Sequence, residues 1–341
     1  MKTIKFGKTG LKPSELGFGG IPIIPLTMEE GVRIIKHSYD RGITFFDTAN
    51  AYANSEKKIG QALESVRDKV IIATKTGKRD GEGAARHLSY SLENLRTDYI
   101  DIYQFHNIGN AEALDQILGP KGAYEISAKA RDEGKIRFIG FSSHDIATAI
   151  KGCRTGFFST IQFPFNFIER EPADELFKVA REEEMGIIGM KPLGGGILDK
   201  ADLCFKFLQQ HPYVLPIPGT STIEEVDEIV DLYVNRQTIA ENDLKEIEQL
   251  QADLGMKFCH RCGYCIPCEQ GVNIPSVMGF RSTMRRFPPS VAVGMAKNVV
   301  ETGEQCTECE ECLEKCPYSL EIPALIKENL SVIRDFMDRH A

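Results

Sequence analysis

"ITFFDTANAYANSEKKIGQALESV", residues 43–66, holds the unit from which the fold is read. Its first five residues form an apolar, β-rich run. After them Ile59, Ala62, Leu63 and Val66 recur at helical spacing and share one face. The same alternation returns roughly every 30 residues. The runs are "KVIIATK" (69–75), "YIDIYQFH" (99–106), "KIRFIGFS" (135–142), "STIQFPF" (159–165), "MGIIGMKP" (185–192) and "YVLPIPG" (213–219). An earlier "SELGFGG" (14–20) supplies the first of eight. Nearly continuous apolar runs are those of parallel strands buried on both faces. Strand–helix alternation permits a doubly wound open sheet or an α/β barrel. Eight units over roughly 240 residues favour the (β/α)8 TIM barrel. "GFGG" (17–20) is too short for a dinucleotide-binding glycine fingerprint, and no acidic residue follows at the required distance. The barrel pattern closes after "TIEEVDEIVDLY" and "ENDLKEIEQLQADLG", so the barrel domain is assigned to residues 1–255. A cysteine-rich second domain, 256–341, ends in the helical "IPALIKENLSVIRDFMDRH".

The totals agree with this division. Of 341 residues 42% are apolar and 26% charged, ordinary values for a globular protein with a large core. A net charge of −8 argues against nucleic acid as a partner. No run of apolar residues is long enough to cross a membrane, and "MKTIKFGKTG" lacks the apolar core of a secretory signal, so a cytoplasmic location is expected. Eight of the ten cysteines fall between Cys259 and Cys316. In a reducing compartment such clustering favours metal over disulfides. Cys153 and Cys204 stand alone and read as small buried hydrophobes.

Four polar residues fall at or just beyond the ends of the early strands: Asp47, Tyr52, Lys75 and His106. Barrel chemistry collects at those ends, because the βα loops converge there on one mouth. A tyrosine can give its phenolic proton to a carbonyl oxygen as hydride reaches the carbon. Its ordinary pKa near 10 is too high for easy donation, so a neighbouring ammonium must stabilise the phenolate. Lys75 is placed to do so, Asp47 to pair with Lys75, and His106 to orient the carbonyl. Taken singly, each has a structural alternative: a loop Tyr or His that only packs, or an Asp that caps a helix. Their joint placement on successive strands favours the catalytic reading.

The same residues carry a family resemblance. "FDTANAYANSEKKIGQAL" resembles the signature of the aldo/keto reductases, with Asp47 and Tyr52 in matching places. "IIATK" ends in the family's lysine, "SLENLRTDYIDIYQFH" ends at its histidine, and "GKIRFIGFSSH" is similar to a third signature. "IQFPFNFIER", "MKPLGGGIL" and "LPIPGTSTIEEVDE" are similar to later segments, so the likeness covers roughly residues 3–250. It implies a (β/α)8 barrel that binds a nicotinamide cofactor, NADP(H) or NAD(H), across its mouth and reduces a small carbonyl substrate. Cofactor contacts would map onto Asp47, Ser142, Gln162, Leu193, Gly219 and Ser221. The chain departs from the family at two places. Met190 stands where many members stack an aromatic ring on the nicotinamide, and it offers a thioether instead. Lys191 follows, a candidate contact for a cofactor phosphate or else a solvent-facing lysine. After "IPG" the chain has Ser221 and Thr222 and then Glu224 and Glu225, whose carboxylates would oppose an adenosine 2′-phosphate.

The tail holds two cysteine runs. "CTECEECLEKCP" places Cys306, Cys309, Cys312 and Cys316 before Pro317, the spacing of bacterial-type ferredoxins. "CHRCGYCIPC" places Cys259, Cys262, Cys265 and Cys268 at three-residue steps. In such runs the fourth cysteine often serves the partner cluster. Two [4Fe–4S] clusters with crossed ligation are therefore expected. Cys259, Cys262, Cys265 and Cys316 would hold one, and Cys306, Cys309, Cys312 and Cys268 the other. Zinc remains the alternative, though its ribbons use two well-separated pairs; a single-cluster variant is another. His260 reads as a bystander. The tail also resembles the ferredoxin-like extension of a subgroup of aldo/keto reductases. Hydride carries two electrons and a cluster accepts one, which leaves three readings open. The barrel is a carbonyl reductase with bracing or redox-sensing clusters; or FMN in the mouth converts between the two modes; or the chain is an electron-transfer or docking subunit. An external electron carrier such as ferredoxin is the partner the clusters imply.

Overall fold

The computed structural model describes residues 1–236, 238–255, 257–260, 263–316 and 318–340. It divides into two compact units: Met1–Leu193 with Lys200–Ile239, and Gly194–Asp199 with everything from Ala240 onward.

In the first unit eight parallel strands lie in sequence order: β1 (Phe18–Gly19), β2 (Phe45–Asp47), β3 (Ile71–Thr76), β4 (Ile100–Phe105), β5 (Ile136–Ser142), β6 (Thr160–Pro164), β7 (Gly186–Met190) and β8 (Val214–Pro216). The sheet curls shut. Gly17 N donates to Pro216 O (2.9 Å) and Gly19 N to Pro218 O (2.8 Å). Glycine is needed at that seam, because a Cβ on Gly19 would meet Ile217 O at 2.8 Å. The crossovers are α1 (Met28–Asp40), α2 (Ser55–Leu63), α3 (Gly81–Asn94), α4 (Ala111–Leu118) with α5 (Ala123–Asp132), α6 (Ile146–Arg154), α7 (Leu176–Glu182) and α8 (Ala201–Leu208); α9 (Ile223–Val234) follows β8. Local chemistry sets where they start. Thr27 and Glu30 form a reciprocal capping box on α1, and Asp80, Asp145 and Thr222 cap α3, α6 and α9.

Strand periodicity sorts the side chains into two layers. Phe45, Ile71, Ala73, Ile102, Ile188 and Leu215 fill the barrel interior, while Phe46, Ile72, Tyr103, Phe105, Ile139 and Ile161 pack outward toward the helices. Phe6, from the N-terminal arm, packs into the interior cluster against Phe45, their rings 5.9 Å apart. One expectation is corrected. α2 stops at Leu63 and continues as a 3-10 turn, Glu64–Lys69, in which Val66 has φ −129°, so Val66 leaves the helical face and is half-buried.

The second unit holds α10 (Glu241–Gly255), α11 (Ile274–Arg286), α12 (Pro289–Gly303), the short α13 (Glu311–Glu314) and α14 (Ile322–Arg339). Its contacts begin at Ala240, not at 256 as the composition shift suggests. α10 runs on into the cysteine segment, with Lys257 N and Phe258 N both donating to Leu254 O. Gly194–Asp199 belongs here as well. Ser282 Oγ donates to Gly195 O, and Arg285 Nη1 to the carbonyls of Gly196 and Ile197 (3.0 Å each). Val272, Ile274, Val277, Leu320, Ile322 and Ile326 form the core, with cysteines packed at its margin. Among the described residues no helix is long and apolar enough to cross a membrane.

One buried ion cluster ties three barrel strands together. Asp101, fully buried on β4, accepts from Arg67 Nη2 (2.7 Å), Arg137 Nη1 (2.7 Å) and Ile72 N (3.0 Å). Removing the carboxylate takes away the ion-pair partner of the largely buried Arg67 and leaves its charge with only the Thr97 hydroxyl and the carbonyls of Val70 and Tyr99, so Asp101→Ala should cost about 3–5 kcal/mol. Urea unfolding measures it. A loss under about 1 kcal/mol would class the cluster with surface pairs.

Candidate active site

The inward face of the strands turns polar at its C-terminal end. Asp47 ends β2, and Lys75 lies one layer deep on β3. Gln104 faces inward on β4, two residues before His106, while Ser142 and Gln162 come from β5 and β6. All but His106 are buried. Lys75 Nζ donates to Asp47 Oδ1 (2.6 Å) and to Thr48 O (2.7 Å). The other donors to Asp47 are amides: Gln104 Nε2 to Oδ2 and Gln162 Nε2 to Oδ1, both at 3.4 Å, while Gln104 Nε2 also reaches Gln162 Oε1 at 2.9 Å. Tyr52 stands on the β2–α2 loop, fixed by turns in which its N–H donates to Ala49 O and its carbonyl accepts from Ser55 N. Lys75 Nζ lies 5.2 Å from the centre of the Tyr52 ring, and the His106 ring meets Tyr52 edge-on at 5.6 Å. Thus the four residues expected from the sequence converge on one place.

Burial opposes charge throughout this layer. It pushes the Lys75 ammonium below its ordinary range and the Asp47 carboxyl above, each partly offset by the other. Burial also brings His106 down to about 3, helped by the nearby charges of Lys75 and Arg79. The imidazole is therefore neutral at neutral pH. In that form a ring N–H can donate a hydrogen bond, and the ring carries no dissociable imidazolium proton.

The remaining expected contacts ring the mouth. Ser142 Oγ accepts from Asn107 N (2.9 Å), Leu193 is half-buried against the outer core, and Gly219 abuts Pro22. Ser221 gives both its N–H (2.6 Å) and its hydroxyl (3.1 Å) to Glu225. Thr220 Oγ1, between them, is buried and without a hydrogen-bond partner among the described residues. Met190 packs at the edge of the interior cluster. Lys191, in the left-handed region (φ 56°), reaches His144 Nε2 at 2.8 Å and is held by Asn166 Nδ2 donating to its carbonyl (3.1 Å). His144 Nδ1 meets Asn107 Oδ1 at 3.1 Å. Sequence reasoning missed Gln104, Asn107, His144 and Arg79. Gln104 alone carried a signal, sharing the inward face of β4 with His106 two residues on.

In the second unit the cysteines line two open cavities, of ≈ 390 and ≈ 350 Å³. Cys306, Cys309 and Cys312 line the first together with Cys265 and Cys268. Cys259, Cys265 and Cys316 line the second. Each cavity thus draws thiols from both runs. Burial raises the Cys312 thiol, and the thiols of Cys306, Cys309 and Cys268 add to the effect. Ile274 borders both cavities. His260 stacks on Tyr318 at 3.7 Å. Cys262, the remaining expected ligand, lies outside the described residues. Among the described residues no three His, Cys, Asp or Glu converge tightly enough to hold a lone metal ion. Cys153 and Cys204 are buried, and burial pushes the Cys153 thiol up to about 12.

Comparison with known proteins adds to this geometry. The model of the aldo/keto reductase family matches residues 15–203, more than half of the chain, and that of a 4Fe-4S dicluster domain matches residues 258–321. A soybean (Glycine max) protein named "Probable aldo-keto reductase 1" is 28% identical over 312 residues, covering 72% of this chain and 88% of its own. An uncharacterised oxidoreductase of Bacillus subtilis is 31% identical over 228 residues, 58% of this chain and 68% of its own. The crystal structure of an aldo-keto reductase from Klebsiella pneumoniae, in complex with NADPH, is alike in fold. Its TM-score is 0.63 at 23% identity, covering 73% of this chain and 95% of that one.

Because His106 titrates near 3 when folded and near 6.5 when unfolded, unfolding takes up a proton between those values. Its contribution to stability is complete above about pH 6.5 and is lost progressively as pH falls toward 3. Stability relative to His106→Asn should therefore decline between about pH 7 and pH 4.5, by denaturant titration at each pH. A constant difference would assign His106 an unperturbed pKa.

Proposed function

The chain belongs to the aldo/keto reductase family and carries a 4Fe-4S dicluster domain at its C-terminal end, and on that premise we propose that it reduces a small carbonyl compound with hydride from a nicotinamide cofactor. The observation that carries the reading is the buried Lys75–Asp47 pair beside the Tyr52 ring. Tyr52 gives its phenolic proton to the carbonyl oxygen. The Lys75 ammonium stabilises the phenolate left behind, and Asp47 holds that ammonium in place. Neutral His106 fixes the direction of the carbonyl. Bound nicotinamide would supply the hydride.

Asp47, Ser142, Gln162, Lys191, Leu193, Gly219 and Ser221 are the residues that would hold that cofactor. The buried, unpartnered Thr220 hydroxyl among them supports such an occupant. The Klebsiella neighbour was solved with NADPH. In this chain the Glu225 carboxylate takes both donors of Ser221, an arrangement that opposes a further phosphate and favours NADH.

In the tail, cavities lined by thiols from both runs support crossed ligation: Cys259, Cys262 and Cys265 with Cys316, and Cys306, Cys309 and Cys312 with Cys268. Thiols spread around a cavity suit a polynuclear cluster better than a single zinc ion. Iron–sulfur clusters would pass electrons singly, and a ferredoxin-type carrier is the partner that such chemistry calls for.

Two experiments test the reading. Tyr52→Phe should lower NAD(P)H-dependent carbonyl reduction by about 10²–10⁴-fold with circular dichroism unchanged; an unchanged rate removes Tyr52 from the chemistry. In protein purified without oxygen, Cys268→Ser and Cys316→Ser should each lower bound iron by about half, each through a different cluster. Loss of all iron in either variant would point to one shared centre.

A further inference from the structure

Arg79 lies on the loop between β3 and α3, just before the capping Asp80. Its Nη2 donates to two successive carbonyls, His106 O (2.7 Å) and Asn107 O (2.8 Å). Both lie on one guanidinium because Asn107 sits in the left-handed region (φ 53°), a conformation asparagine tolerates. Arg79 is thereby fixed to the residue that would orient the carbonyl, and its charge is felt by the His106 ring.

The other end of the guanidinium is unmatched. Nη1 is shut off from solvent and, among the described residues, has no hydrogen-bond partner. Nor does any described carboxylate form an ion pair with Arg79. Lys75 in the same region, by contrast, has Asp47. A buried donor left unpaired is costly, more so when charged. The arrangement is stable when a ligand brings the missing acceptor. A guanidinium matches carboxylate oxygens in charge and plane better than any neutral acceptor. The guanidinium is joined to the backbone of His106, the residue that would orient the carbonyl.

Building on the reductase reading, we propose that Arg79 anchors a carboxylate of the substrate, so that the preferred substrates are short oxo acids with the carboxylate close to the reacting C=O. In the reaction hydride adds to the carbonyl carbon and the Tyr52 proton to its oxygen. A 2-oxo acid and NAD(P)H with one proton become a 2-hydroxy acid and NAD(P)⁺, and the carboxylate is unchanged.

The test compares the full-length, cluster-loaded protein with Arg79→Met and Arg79→Lys on pyruvate and on methylglyoxal, its uncharged aldehyde counterpart. Wild type should favour pyruvate. Arg79→Met should lower the pyruvate-to-methylglyoxal ratio of kcat/KM roughly ten- to a hundredfold, mainly through KM for pyruvate, and Arg79→Lys should recover part of the loss. General damage to the His106 loop would depress both substrates alike and leave the ratio unmoved. An unmoved ratio, or a wild-type preference for methylglyoxal, overturns the anchor while the reductase reading stands. If wild type turns over neither compound, calorimetric binding of oxamate decides the anchor alone, separately from the reductase reading that Tyr52→Phe tests. Binding to wild type that Arg79→Met abolishes upholds it, and binding equal in both, or absent from both, rejects it.

Discussion

An ammonium and a carboxylate held 2.6 Å apart, 1% and 3% exposed, set the terms for the rest of the barrel. Taking two such charges out of water costs several kcal/mol per ion, and their attraction repays it only when the remaining donors and acceptors are satisfied. The barrel meets that condition with Thr48 O for the lysine and the amides of Gln104 and Gln162 for the aspartate. An apolar pair of similar volume would serve stability as well or better in a chain selected for nothing else, so the polar layer is evidence of chemistry as much as of architecture. Its position follows from strand register. Asp47 lies opposite Ala73 and Lys75 opposite Gln104, which stacks the polar groups in one band above an interior of Phe45, Ile71 and Ile102.

Most of this was legible in the sequence, for identifiable reasons. Parallel strands buried on both faces leave long apolar runs, so all eight were visible. Their ends were less so: β1 shrinks to Phe18–Gly19 where close backbone packing at the seam leaves no room for a Cβ. Val66 kept helical spacing in the sequence but lost helical backbone in the fold, because a 3-10 turn consumes the angle on which spacing arguments rest. Asp47, Lys75 and His106 could be picked out because strand ends and polar side chains coincide in them. Arg79, Asn107 and His144 could not. Their placement depends on loops whose course is fixed by carbonyls and side chains distant in sequence, and periodicity says nothing about those. In the tail, cysteine spacing announced two runs, and each cavity is lined by thiols of both.

An aldo/keto reductase barrel and a 4Fe-4S dicluster domain share one polypeptide. The barrel's polar band is complete within its own strands and loops, and the thiol-lined cavities are complete within theirs, apart from Cys262.

The second unit is discontinuous along the chain, and this gives its assembly an order in time. Gly195 is made 87 residues before Ser282, which donates to its carbonyl. At about 5–20 residues per second on the ribosome, that carbonyl waits some seconds for its donor. All eight strands have left the ribosome's active centre before the first cysteine of either run is made. A nascent chain therefore can close its barrel while the segment Gly194–Asp199 is still unanchored, and the thiols of the second cysteine run are the last to emerge.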